Sequence, residues 1–208
     1  MGRLEIFLND SLGTFTSAAP IETGAKSPTA IVTGEFDDDQ TIDVAVAHLG
    51  DVRLANNAGD VRVMLGLGDG RFSSGNAYRV GAIPASIDRG DLNGDGLQDL
   101  VAVSFASDTA TILLGDGAGQ FSISSQQLST GSGPVQVTVI DVDDDQDSDI
   151  LVSNLKSRSV TILRNRISQL TDPDGSIAFE AAESRCRRVL RRPSTCIRRR
   201  RFGSVGDD

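Results

Sequence analysis

Apolar residues in this chain come in short bursts of about five, and the bursts are of two kinds. Leu100-Val101-Ala102-Val103 is apolar at every position, as are Val44 to Ala47 and Ile150 to Val152. A strand that is apolar on both sides is one sandwiched between neighbouring sheets. Val61, Val63 and Leu65 instead alternate more cleanly, which puts them together on one side of their strand. Gly, Asp, Asn and Pro bound each burst, and no segment sustains a helical period. The pattern predicts an all-β protein of short strands.

The bursts recur in a fixed order. In the second unit, Ala85 to Gly90 is expected as a first strand, Leu100 to Ser104 as a second and Ala110 to Gly115 as a third. A hairpin over Gly117 to Gln120 then leads to a fourth strand from Phe121. Prolines 28, 84 and 134 precede the units, and a proline suits the first position of a strand, where no ladder donor is needed. The strand, glycine turn and phenylalanine of Val61 to Phe72 match those of Ala110 to Phe121. Weaker copies run from Leu4 to Phe15 and from Val160 through Asp174-Gly175 to Phe179. An insertion around Gly50 to Asp60 lengthens the first unit. Four-stranded units repeating about every 50 residues read as blades of a β-propeller.

Between the first and second strand of each unit lies an acidic stretch in one nine-residue frame: Glu35 to Asp43, Asp91 to Asp99 and Asp141 to Asp149. Positions 1, 3, 5 and 9 carry oxygen side chains: Glu35, Asp37, Asp39, Asp43; Asp91, Asn93, Asp95, Asp99; Asp141, Asp143, Asp145, Asp149. Position 7 (Thr41, Leu97, Asp147) would add a backbone carbonyl. A hard cation that takes six to eight oxygens suits such a loop, so Ca²⁺ is the expected ligand. A lone acidic loop is commonly a solvated turn; three in register are harder to explain that way. An EF-hand needs flanking helices and a Glu at position 12, where this chain has Val46, Ala102 and Val152.

The order Gly-x-x-Pro, strand, Asp-x-Asn-x-Asp-Gly-x-x-Asp, strand, strand-Leu-Gly-x-Gly-x-Gly-x-Phe resembles the FG-GAP repeat of integrin α-chain propellers and its bacterial VCBS-type relatives. The resemblance covers roughly residues 4–184. It implies calcium loops between the first two strands of each blade and a ring of about seven blades. It also implies a non-catalytic adhesion or ligand-binding module at the cell surface or outside the cell, meeting a protein or polysaccharide on its loops. An accessory propeller of a larger carbohydrate-active enzyme is the alternative; an acid/base pair outside the calcium frames would favour it. Two departures weaken the first and third loops. Glutamine stands at position 6 (Gln40, Gln146) where the middle loop has Gly96, and Glu35 replaces Asp at position 1. A sharp turn at position 6 calls for φ > 0.

Strand counting gives half a blade over Leu4 to Pro20 and then three loop-bearing blades, about three and a half in all. The expectation is an incomplete propeller over residues 1–184 whose remaining blades are missing from this chain. A chain opening inside a repeat reads as a fragment or as the product of an internal start. Met1-Gly2-Arg3-Leu4-Glu5-Ile6 shows no signal-peptide pattern, and no apolar run is long enough for a membrane span.

Charge divides the chain. The net is −9, but from Arg185 onward there are nine Arg and two Asp. The preceding 184 residues therefore carry about −16, much of it in the loops. The partner such a surface invites is a cation, not nucleic acid. Residues 185–208 hold both cysteines, Cys186 and Cys196, and little apolar pattern. A shifted reading frame, a disordered native tail and a functional basic arm are three readings of that segment. Two further features read as structural: His48 lacks companions for a catalytic or zinc site, and no helix follows the glycine turns after Gly66 and Gly115 to hold a phosphate.

Overall fold

The computed structural model describes residues 2–50, 58–126, 128–166 and 179–185. Among these every regular element is a strand, and no helix is long and apolar enough to cross a membrane. Three antiparallel sheets of the expected kind follow one another along the chain. The first orders β5 (Pro28–Gly34), β6 (Asp43–His48), β7 (Ala58–Met64) and β8 (Asn76–Ala82) as consecutive neighbours. The second joins β9 (Pro84–Gly90), β10 (Asp99–Ser104) and β11 (Thr109–Gly115). Its fourth strand is split into β12 (Phe121–Ile123) and β13 (Leu128–Ser129), both on β11. The third runs β14 (Pro134–Ile140), β15 (Asp149–Asn154), β16 (Ser159–Asn165) and β17 (Phe179–Arg185).

All three prolines open a first strand. Arg185, expected as the start of the tail, is instead the last residue of β17, opposite Ser159. The rest of the tail and the Asp174-Gly175 turn lie outside the described residues. At the N-terminal end β1 (Arg3–Leu4) pairs β4 (Ile21–Glu22), and β2 (Phe7–Asn9) pairs β3 (Phe15–Ser17). This is the expected half blade, in which a bent third strand lies beside a bent fourth. The architecture is that of incomplete propeller blades.

The fully apolar second strands explain how the sheets stack. In β10, Leu100 and Ala102 point into a core with Ala45, Ala47, Val61 and Val63 of the preceding sheet. Val101 and Val103 point the other way, into a core with Val137, Ile150 and Val152 of the next. All four are fully buried. Leu100, Val101 and Val103 contribute about 1.5–3 kcal/mol each and Ala102 less, so this one strand welds three sheets. A ring cluster closes the first interface: Phe121 meets Phe36 and Tyr78 edge-on at 5.6 and 5.8 Å. The second interface also carries polar links, with Val139 N–H donating to Asp88 Oδ2 (2.9 Å) and Gly133 N–H to Asp108 Oδ1 (2.7 Å).

Candidate metal centre

Each acidic loop leaves a first strand and enters a second at position 9. The aspartate there is fully buried in all three sheets (Asp43, Asp99, Asp149). Burial of a carboxylate is tolerated only when its oxygens are satisfied, and the structure shows how. One oxygen takes the N–H of position 2: Phe36 at 2.6 Å, Leu92 at 2.8 Å, Val142 at 3.0 Å. The other takes the N–H at the end of the third strand: Gly66 at 2.7 Å, Gly115 at 2.9 Å, Asn165 at 2.8 Å. Position 9 is thus a clamp tying the loop to strands two and three. Spacing alone marked it as an oxygen donor and missed the clamp.

Position 2 was also missed. Phe36 and Leu92 are buried between sheets, while Val142, with no following sheet described over it, is 38% exposed.

Position 5 folds back on position 7 in every loop. Asp39, Asp95 and Asp145 accept the N–H of Thr41 (2.7 Å), Leu97 (2.8 Å) and Asp147 (3.1 Å). Position 1 caps the turn. Asp91 accepts from Gly94 (2.6 Å) and Gly96 (2.8 Å), and Asp141 accepts from Gln146 at 2.9 Å and from residues 143 to 145. Position 6 has the positive φ that the sequence called for: Gln40 68°, Gly96 84°, Gln146 75°. Position 4 has it too (Asp38 59°, Gly94 76°, Asp144 62°), a requirement the sequence reading did not name.

The loops differ in how they gather charge. Carboxylate oxygens of Glu35, Asp37 and Asp39 lie within 4.8 Å of one another, and so do those of Asp141, Asp143 and Asp149. The middle loop does not gather three carboxylates so closely; its position 3 is an amide, with Asn93 Nδ2 donating to Asp95 Oδ2 at 2.8 Å. Crowding shows in the acidities. Lost hydration, then the charges of Asp43 and Asp39, raise the Asp37 pKa. Lost hydration, then Asp145 and Asp149, raise that of Asp143, against a downward pull from Arg164. Burial pushes Asp99 up to about 6 despite its two backbone donors, and Asp95 and Asp91 add to the rise. In the other direction, the Thr41 hydroxyl and N–H lower Asp39, and the Gln146 N–H leads the lowering of Asp141.

The repeated loop, strand and hairpin match the model of the FG-GAP-like repeat over residues 36–102 and again over 91–152. Together these spans cover more than half of the chain. The chain belongs to the FG-GAP-like repeat family. Each matched span runs from one acidic loop into the second strand of the next sheet, so the family unit and the structural unit share a period. A comparison with curated proteins finds no match.

Two other expected features have structural places. His48 is fully buried, with Nε2 2.9 Å from Thr23 Oγ1 and Nδ1 3.1 Å from Asp60 Oδ1; it joins the segment before β5 to β7. The glycine turns at Gly68, Gly70, Gly117 and Gly119 all have positive φ and lead back into strand pairing.

Proposed function

We propose that this FG-GAP-like chain is a non-catalytic, calcium-stabilised repeat module that presents its loops to a protein or polysaccharide at the cell surface or outside the cell. The observation that carries the calcium reading is the loop repeated three times in one frame, with carboxylate oxygens gathered within 4.8 Å of one another in the first and third. In the first loop, Glu35 Oε1 and Asp37 Oδ1 are buried without a hydrogen-bond partner, an arrangement that costs free energy unless a cation answers it. The donor set fits a hard divalent ion. The first loop would hold it with Glu35, Asp37, Asp39 and Asp43 and the Thr41 carbonyl. The middle loop would use Asp91, Asn93, Asp95 and Asp99 with the Leu97 carbonyl. The third would use Asp141, Asp143, Asp145 and Asp149 with the Asp147 carbonyl. The ion supplies positive charge to carboxylates that otherwise repel, which makes its role structural. The localisation and the adhesive role rest on the family alone.

Titration calorimetry with calcium tests the reading. Binding with dissociation constants of about 10⁻⁴–10⁻³ M is expected, as for extracellular modules. Asp95→Ala should remove the middle site and Asp143→Ala the third. A melting temperature raised by calcium, and less by magnesium, should accompany it, by about 1.4 kcal/mol at ten times the dissociation constant. Magnesium keeps a tighter shell and dehydrates reluctantly. No calcium heat and no change in melting with chelator would overturn the proposal.

A further inference from the structure

The first and middle acidic loops are each held by the blade that follows. The carbonyl of position 2 takes a donor from that blade: Gly119 N–H reaches Phe36 O at 2.9 Å, and the Asn165 side-chain amide reaches Leu92 O at 2.9 Å. That carbonyl belongs to the planar peptide joining position 2 to position 3, so fixing it aims the position 3 side chain, Asp37 or Asn93. The two donors differ in kind. Gly119 is a backbone donor in the glycine turn after β11, whereas Asn165 is the last residue of β16 and uses its side chain.

Asn165 also reaches the loop of its own blade. It is 1% exposed, and its backbone N–H is held at 2.8 Å by Asp149, position 9 of the third loop. Its amide donates to Ser148 O, position 8 of the third loop, at 3.2 Å, and to Leu92 O of the middle loop. Leu92 N–H is in turn held by Asp99, whose other oxygen holds Gly115 N–H where the Gly119 turn begins. One line of hydrogen bonds thus runs from Asp149 through Asn165 and Leu92 to Asp99. Asp149, Leu92 and Asp99 are fully buried, so water does not compete for these bonds.

We infer that Asn165 is a positioning residue for the middle loop and couples it to the third, so that a divalent cation in one tightens binding in the other. The inference rests on the calcium reading proposed above. A cation that draws in Asp145 and Asp149 fixes the strand end that presents Asn165. The amide then holds a middle loop whose ordering is already part done, which lowers the cost of binding there. The effect is reciprocal. Its size is that of one hydrogen bond, a factor of about 2 to 12.

The test is calorimetry with calcium on the full chain carrying Asp37→Ala, which silences the first loop. Salt at about 0.15 M damps charge repulsion between sites more than about 8 Å apart. In that background Asp143→Ala, which removes the third site, should weaken the middle site about three- to tenfold. With Asn165→Ala added, Asp143→Ala should make no further difference. A second readout needs no metal. With chelator present, Asn165→Ala should speed hydrogen exchange of the loop amides of Gly94, Gly96 and Leu97 about fivefold or more and leave Thr41 of the first loop unchanged. A residue that only fills space would change both loops or neither. Circular dichroism checks folding, and Asn165→Gly, the residue of the other blades at Gly66 and Gly115, takes over where alanine unfolds the sheet. A middle site indifferent to Asp143→Ala, coupling that survives loss of the amide, or unchanged exchange in the middle loop overturns the inference. Absence of any calcium heat overturns the calcium reading and the coupling with it, and the metal-free exchange still decides the positioning role.

Discussion

Asp99 Oδ1 accepts the backbone N–H of Gly115 at 2.9 Å, while its other oxygen holds Leu92 N–H at 2.8 Å. A Cβ at Gly115 would run into the carbonyl of Gln98, so in this blade the third strand makes its close approach to the loop through glycine. Blade three solves the same approach differently. Asn165 replaces the glycine, and its amide donates to Ser148 O (3.2 Å) and across the interface to Leu92 O (2.9 Å).

Asp99→Ala should therefore destabilise the metal-free protein. Two backbone donors lose their acceptor, each at about 1–3 kcal/mol, and relief of repulsion with Asp91 and Asp95 returns part of it. A net loss of about 2–3 kcal/mol in urea unfolding with chelator present is expected. A loss seen only with calcium would reduce the residue to a metal ligand and remove its clamp role.

How much of this was legible follows from the residues. Prolines 28, 84 and 134 announced the first strands because a missing N–H can be placed only there. The second strands declared themselves by having no polar face. By its match to Phe121, Phe72 marks the start of the first blade's fourth strand in the sequence, yet the ladder resumes only at Asn76. Phe72 makes a single bridge to Gly66 and packs toward the half blade with Met64, and the Ser73 hydroxyl takes the Leu65 N–H at 3.1 Å. Those competing contacts leave no periodic trace. Nor could a nine-residue spacing show that position 9 serves backbone donors in two directions, because one of them lies 16 or 23 residues away.

Replacing Gln40 or Gln146 by glycine should stabilise the protein. A non-glycine residue in the left-handed region costs about 1–2 kcal/mol. The added freedom of glycine in the unfolded chain costs about 0.5–1 kcal/mol, so strain relief wins by about 0.5–1 kcal/mol. A melting temperature higher by about 2 °C is the expected reading for each variant. A lower value would show that the glutamine side chain itself holds the turn.

The buried His48–Asp60 contact predicts a pH dependence. Burial pushes the Asp60 carboxyl up, but His48 and Arg62 outweigh it and hold the pKa below the ordinary 3.8. The folded state thus binds this proton less tightly than the unfolded state. The resulting stability is present above the ordinary value and is lost as pH falls through the lowered one. Asp60→Asn should flatten that part of the acid limb in urea midpoints measured from about pH 5 to pH 2. An acid limb of unchanged slope would assign the loss to other carboxylates.

Arg164 sets the third loop apart. It stands where the other blades have Leu65 and Leu114, which pack into the cores between sheets. Its Nη1 lies 3.6 Å from Asp143 Oδ2, and both side chains are about a third exposed (39% and 32%). As an ion pair in that setting it contributes little to stability. As a fixed positive charge beside a proposed calcium ligand it matters more, because it acts on a divalent ion. At about 7 Å in a water-like dielectric the repulsion is about 1 kcal/mol, and screening by salt brings it to about 0.5–1 kcal/mol. Arg164→Leu should therefore tighten calcium at the third loop by about two- to fivefold and leave the first loop unchanged. The gain should shrink as salt rises. Calorimetry of the Asp95→Ala background, at low and high ionic strength, separates the two remaining sites. Affinity that does not rise in Arg164→Leu would mean that the guanidinium swings clear of Asp143 when the cation binds.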